Sequence, residues 1–409
     1  MKKRIILSLL TVSSLYADAQ MDAIKEQLEE QKEAMASLNA KLVQLEQKST
    51  NNSASFSQNA YLPDMAFILN MSVVGRNVEN SNYNDETTGF AIPGFINSGE
   101  AEQPFNANRG FNFNYAEVAL HSTVDPYFDA FAIFHISEEG IEVEEAYVTT
   151  RSLPYSLKVK AGKFRSAFGR INEKHHHSWM FDEQPIIYKS LFGPDMISDA
   201  GVQLQWVAPT DTYIMAGVDA MQGRNNRSFG NMEKNNLYVG YVKTSLDVTD
   251  DLSLLSGVSL AHGETDLQKN SDVYGVDLTL REQLGSYSSL IWQSEYLQRN
   301  RDTNSVTLTT EKQAGLYSQF VYQYSNNYST GVMYDRITKN ETESLPTTYN
   351  TDNLDRYTAM VEYKPFPMSR LRLEASYDRT KVIDGARKDV KTVMLTLNIA
   401  AGAHGAHSY

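Results

Sequence analysis

Three consecutive histidines, His175, His176 and His177, are the sharpest chemical signal in the chain. Imidazole is a preferred ligand of zinc, copper and nickel, and Asp182 and Glu183 follow closely enough to complete a site for Zn2+ as ligand or cargo. Adjacent histidines cannot all aim one way from regular backbone, so such a site requires a loop. The plainer reading is a polar loop that is merely rich in His, because the triplet brings no second ligand pair. His404 and His407, in the terminal AGAHGAHSY, form another spaced pair that either samples metal or caps the last element. No Ser/His/Asp spacing, glycine-rich phosphate loop or clean carboxylate pair stands out. The chain therefore does not read as an enzyme, and no motif requires a cofactor.

The elements that position these residues read as strands. About sixteen short stretches between Ala66 and Asn398 alternate apolar with polar residues, the period of a sheet with one apolar face. Tyr274, Val276, Leu278 and Leu280 share one face, while Val273, Gly275, Asp277 and Thr279 share the other. The same split separates Leu371, Leu373, Ala375 and Tyr377 from Arg372, Glu374, Ser376 and Asp378. Such repeated alternation in a chain of 409 residues with 24 Tyr points to an all-β transmembrane barrel of about sixteen antiparallel strands rather than a soluble sandwich. The apolar face meets lipid and the polar face is wet. The isolated His121 and His262 read as ordinary wall residues.

Shorter links, such as Asp125-Pro126, Asp250-Asp251 and Asn326-Asn327, alternate with longer or more polar ones at 77–112, 138–141, 165–200, 222–234, 265–270, 299–310, 340–354 and 382–389. That is the order of periplasmic turns and outer loops. Sixteen strands leave an aqueous lumen, so passage of solute is the default expectation. By analogy with general porins, the third outer loop, 165–200, folds inward as a constriction carrying Arg165, Arg170, Glu173, Lys174, Asp182 and Glu183. Alternation puts Glu117 on the lumen side near His135, with Glu145 following and Lys158, Lys160 and Lys163 on the strand after that. Arg372 and Glu374 share the polar side of a later strand. Glu and Lys on neighbouring strands pair structurally first, and also set a transverse field across a pore.

The N-terminus has the three parts of a secretory signal: Lys2, Lys3 and Arg4, the apolar run Ile5 to Val12, and the small-x-small site Ala17-Asp18-Ala19. The domain reading is a signal peptide at 1–19, a coiled-coil helix at 20–48, a flexible linker at 49–65 and a barrel at 66–409. Met21, Ile24, Leu28, Gln31, Met35, Leu38, Leu42 and Leu45 occupy a and d of successive heptads, a seam for self-association. The expected location is the outer membrane with this helix in the periplasm, and the expected assembly is a homotrimer. The formal charge of −13 becomes more negative once three basic and one acidic residue leave with the signal. That excess disfavours nucleic acid and is compatible with a setting of outer-membrane lipid and cation-bridged lipopolysaccharide. Cysteine is absent, so hydrogen-bonded structure must hold the exported chain.

The block from Asn108 to Trp179, NRGFNFNYAEVALHSTVDPYFDAFAIFHISEEGIEVEEAYVTTRSLPYSLKVKAGKFRSAFGRINEKHHHSW, followed by DAGVQLQWVAPT and the His-containing terminus, resembles a family of Gram-negative outer-membrane proteins labelled zinc-regulated TonB-dependent receptors. The resemblance implies an outer-membrane barrel linked to zinc acquisition, without enzyme activity. Coupling to TonB is not expected, because the chain is too short for a plug domain and a barrel of about 22 strands. A coiled coil before a midsized barrel also resembles the phosphate-selective porin O and P group, whose channel is basic where this chain is acidic. The two functional expectations are a porin-like channel for small hydrophilic solutes, with a link to zinc or another divalent metal, and a ligand-binding receptor or surface adhesin without a conducting pore.

Overall fold

The computed structural model describes residues 63–402, apart from 101–104, 226, 232, 344–350, 352 and 353. The signal peptide, the coiled coil, nearly all of the linker, and His404 and His407 lie outside the described residues. Sixteen strands follow one another: β1 (Asp64–Arg76), β2 (Gly110–Thr123), β3 (Phe128–Ser137), β4 (Gly140–Thr150), β5 (Leu157–Arg165), β6 (Ser198–Val207), β7 (Tyr213–Met221), β8 (Leu237–Asp247), β9 (Leu252–Glu264), β10 (Asn270–Gln283), β11 (Ser289–Asp302), β12 (Thr310–Gln323), β13 (Tyr328–Glu341), β14 (Asp355–Phe366), β15 (Ser369–Asp378) and β16 (Val390–Gly402). The first strand starts two residues earlier than the sequence reading set it, within the stretch assigned to the linker. Each strand pairs antiparallel with its chain neighbours. The ring closes where β1 meets β16, from Ala66 opposite Gly402 to Arg76 opposite Thr392. Closure leaves no edge of unpaired amides and carbonyls, the condition a sheet must meet in hydrocarbon.

Side chains obey the period of two. On β10, Val273, Gly275, Asp277 and Thr279 point into the buried interior, while Tyr274 and Val276 are exposed on the outer face. On β15, Arg372 and Glu374 are buried inside, with Leu371 and Leu373 outside. Near the rim of short turns, Tyr322, Tyr324, Tyr328 and Tyr363 form a chain of ring contacts at 4.8–6.0 Å, an aromatic patch of the kind that marks a membrane interface.

Two departures from regularity matter for what lies inside. The link between β3 and β4 is only Glu138-Glu139, so it is polar as expected but not long, and loop length does not alternate strictly around the ring. On β4 the register steps from Ile133 opposite Glu145 to Phe134 opposite Val143, leaving Glu144 as the extra residue of a β-bulge. A bulge resets the alternation, and the adjacent Glu144 and Glu145 both turn inward with little exposed side-chain surface.

The outward apolar face yields a direct test. Val276 is 53% exposed in the isolated chain at the middle of β10, and Val276→Arg is expected to cost about 2–4 kcal/mol of folding stability in a bilayer. Equilibrium unfolding in lipid vesicles, followed by Trp fluorescence, measures it; an unchanged midpoint would mean that this face does not meet lipid.

Candidate functional site

The third outer connection, residues 166–197, leaves the rim and enters the barrel, and wall side chains hold its backbone. The Arg165 amide at its root donates to Glu145 of β4 at 2.6 Å. Further along, the Arg170 amide donates to Glu295 of β11 at 2.8 Å, the Asp182 amide to Glu374 of β15 at 2.7 Å, and the Ile186 amide to Asp335 of β13 at 2.9 Å. Ser166 Oγ donates to Asp219 of β7 at 2.6 Å, and the Gly169 amide to Ser259 Oγ of β9 at 3.0 Å. Gly169 has a φ of +60°, and a Cβ there would strike the Tyr188 hydroxyl and the Glu295 carboxylate. Cations fix the remaining stretch. Arg372 reaches Asp182 at 3.2 Å and the Trp179 carbonyl at 3.1 Å, while Arg356 reaches Glu183 at 2.5 Å and the Gln184 carbonyl at 2.8 Å. The loop thus spans the lumen and is tied to walls on opposite sides.

Its apolar residues form a core where sequence alternation implied water. Phe168, Ile171, Trp179, Leu191 and Phe192 of the loop, some of them on the short helix Ile186–Phe192, pack with Tyr83, Phe90, Ile92 and Ile96 of the first outer loop. Wall residues Leu237, Val239, Val273, Leu297 and Ile337 complete the cluster. The expectation of a wet inner face is therefore corrected at these positions. A ring of sixteen strands is too wide for wall side chains alone to fill, and the inserted loops supply the missing apolar volume.

The histidine triplet divides, as its adjacency requires. His175 enters a cluster with wall residues on three strands: its Nδ1 lies 3.1 Å from Glu144 Oε2 and 3.7 Å from Glu117 Oε2 of β2. His135 Nε2 of β3 lies 2.6 Å from Glu144 Oε2 and 3.4 Å from Glu117 Oε2. His175 Nε2 faces Glu145 at 2.9 Å, His177 Nδ1 lies 3.3 Å from Glu117, and Arg165 pairs with the other oxygen of Glu144. The Tyr115 ring stacks on His135 with centroids 4.6 Å apart. Burial alone would push His175 down, yet the surrounding carboxylates Glu144, Glu145 and Glu117 hold its imidazole well above the usual range. His176 turns away, donates from Nε2 to the Asp182 carbonyl at 2.9 Å and stacks on Phe105; burial takes it down to about 4, so it stays neutral.

Asp182 and Glu183 do not join the His175 cluster. They neutralise Arg372 and Arg356 instead, because the wall supplies guanidinium groups where the loop passes. Glu173 pairs with Lys243 at 3.3 Å, and the Lys174 carbonyl accepts from the Trp179 indole at 2.9 Å. Glu145 takes the Arg165 amide and His175 as partners rather than the expected lysines. Lys160 instead lies over the rings of Tyr147 and Phe164 at 4.7 and 5.3 Å, and Lys158 is exposed. Alternation paired Glu117 with His135 correctly. It gave no part to Glu144, whose inward turn depends on the bulge; the visible signal was the doublet Glu144-Glu145 on a strand two links from the His triplet.

No known family profile matches the chain. A protein of Aquifex aeolicus (strain VF5), described only as uncharacterized, is 36% identical over 392 residues, covering 87% of this chain and 81% of its own length. The chain belongs to that Aquifex protein's family. In fold, this member of the Aquifex family is similar to an anion-selective porin from Comamonas acidovorans (TM-score 0.54, 10% identity, 83% of this chain and 99% of that one). It is also similar to the outer-membrane channel DcaP of Acinetobacter baumannii (0.53, 11%, 83% and 97%). A third likeness is to the trimer form of OmpT, an outer membrane protein of Vibrio cholerae (0.51, 11%, 83% and 99%). The architecture is that of outer-membrane porins.

The anchors predict how the loop responds to substitution. Arg372→Met strips the buried Asp182 and Glu362 of a shared cation, a change expected to cost about 3–5 kcal/mol of loop seating. Hydrogen exchange should then rise at residues 179–184 while the strand amides stay protected. Lys189 on the helix is pushed from 10.5 down to about 7 by burial and by neighbouring Lys381 and Arg227. A docked value below the free one means that the undocked loop binds more protons between those limits. Seating is therefore strongest at high pH, weakens as pH falls towards 7, and levels off below it. Lys189→Met should flatten this dependence, read by thermal unfolding across pH 7 to 10.

Proposed function

We propose that the protein is an outer-membrane, porin-like channel through which small hydrophilic solutes pass without catalysis, with the folded-in segment 166–197 as its constriction. The observation that carries this reading is the loop tied across the lumen by Glu295, Asp335, Glu374, Arg356 and Arg372. The porin-like fold supports it. The loop leaves a sixteen-strand ring with a restricted route rather than a wide one, so conductance is small. Assembly as a homotrimer, export directed by residues 1–19 and a periplasmic coiled coil at 20–48 belong to the same reading. The heptad seam and the trimer form of the structurally similar Vibrio protein support them. A link to passage of zinc or another divalent cation draws support from the lumen-side carboxylates and imidazoles around His175. Coupling to TonB is not part of this reading.

A second reading has its own observation. The shared apolar core of the first and third outer loops fills space that a solute would need, which favours a ligand-binding receptor or surface adhesin whose outer loops do the work. Planar-bilayer recording separates the two. The channel reading expects small single-channel steps from the wild type, grouped in threes for a trimer. It also expects at least several-fold larger steps when residues 170–192 are replaced by a short Gly-Ser link. Silence from both proteins, each verified as folded by heat-modifiable gel mobility, would overturn the channel and leave the receptor or adhesin.

A further inference from the structure

The Glu117, His135, Glu144 and His175 cluster has donors, spacing and charge that loop anchoring alone does not account for. One donor atom from each of Glu117, His135, Glu144 and His175 lies within 4.8 Å of the others. His135 Nε2 and His175 Nδ1 lie 2.6 and 3.1 Å from Glu144 Oε2, and 3.4 and 3.7 Å from Glu117 Oε2. Bonds of about 2.0–2.1 Å to nitrogen and oxygen put the donors of a tetrahedral ion about 3.3–3.4 Å apart. These four separations bracket that edge, and side-chain rotations that bring the two imidazoles and the two carboxylates to the same spacing would complete a tetrahedron.

The surroundings fit as well. His175 Nε2 is held by Glu145 at 2.9 Å, which orients the ring with Nδ1 towards Glu144 and Glu117, and Arg165 holds the second oxygen of Glu144. Glu117 Oε1 is buried without a hydrogen-bond partner, so the carboxylate has coordinating capacity in reserve. Once an ion displaces the imidazole protons, Glu117, Glu144 and Glu145 against Arg165 leave two negative charges in a site largely shielded from bulk water, the charge that one divalent cation cancels. Two imidazoles select against calcium and magnesium, which take oxygen donors, and in favour of the zinc class.

We propose that Glu117, His135, Glu144 and His175 bind one divalent transition ion of the zinc class, which clips the folded-in loop to the β2–β4 wall. Three donors come from the wall and one from the loop. The wall alone offers a partial site, and the ion's full affinity is reached only with the loop seated. The clip is independent of whether the barrel conducts, so its test needs no current.

The full-length protein, folded in detergent and stripped with chelator, is dialysed against zinc and analysed by elemental mass spectrometry. Absorption is then recorded with Co2+ in place of Zn2+. About one zinc per chain is expected, with the visible bands of tetrahedral cobalt and no comparable retention of magnesium or calcium. The pair His135→Gln with Glu144→Gln should abolish retention. Glu145→Gln, which touches the ligand His175 but not the ion, should weaken binding about 10–100-fold. Because the wall variants also disturb the ion-pair network, the wild type carries a second measurement: zinc should slow hydrogen exchange at residues 174–178, and in His175→Gln this protection should vanish while weaker binding persists. Wild-type retention no greater than that of the double variant would overturn the site. Tight binding with no change in loop exchange would overturn the clip.

Discussion

Every other feature of this molecule depends on the pairing of β1 with β16. Among the strands that follow, each neighbour is one short turn or one outer loop away, and hairpin pairing forms locally. The closing pair instead joins residues more than three hundred positions apart, from Ala66 with Gly402 to Arg76 with Thr392. Loop-closure entropy for that contact is met only by the whole row of backbone bonds forming together. Until it forms, two edges remain unpaired, and neither tolerates hydrocarbon. The lumen, with its loop and its charged cluster, exists as an enclosed space only after this seam has closed.

Enclosure creates a second problem, and the third outer loop answers it. A ring of this circumference has more interior than its side chains can occupy, so inward-facing Val273, Leu297, Tyr317 and Ile337 would stand against water. The inserted loop covers them with Phe168, Ile187, Tyr188 and Leu191. Backbone amides carried into the lumen then need acceptors, and the wall acids Glu295, Asp335 and Glu374 meet them on three strands. Much of the acidity of the inner wall is thereby used in holding the loop. The guanidiniums of Arg356 and Arg372 belong to the same arrangement, since each bridges acids of the wall and of the loop: Asp335 and Glu183 for Arg356, and Glu362, Glu374 and Asp182 for Arg372.

The ring was legible in the sequence because its cause is local. Alternation at Tyr274 to Leu280 or at Leu371 to Asp378 needs only the pleat, and the turns punctuate it, so strand number and inward and outward faces follow, whereas the inserted loop is reached only by analogy with general porins. The partners inside were legible only where the pleat fixes them, as with Glu117 and His135. They were not where geometry departs from the repeat. One extra residue at Glu144 turns two consecutive carboxylates to the same side, and no count of apolar positions reveals that. The fate of the His triplet was equally hidden: loop backbone decides that His175 meets β2, β3 and β4 while His176 faces Phe105 and the Asp182 carbonyl.

Several kinds of anchor hold the loop, and they differ in what can release them. The Arg356 and Arg372 contacts join permanent charges, and parting them strands a buried ion on each side. The apolar side chains of the core carry no charge to switch, since their packing depends on area removed from water, and Lys189 beside them over Phe90 is the titrating group there. The cluster around His175 is different in kind. Its loop-side member is an imidazole, its wall-side members are two carboxylates and another imidazole, and their mutual attraction depends on what else occupies the space between them. Its strength, like the protonation of Lys189 on the helix, is set by the surrounding solution, and it lies beside Arg165 at the root of the segment.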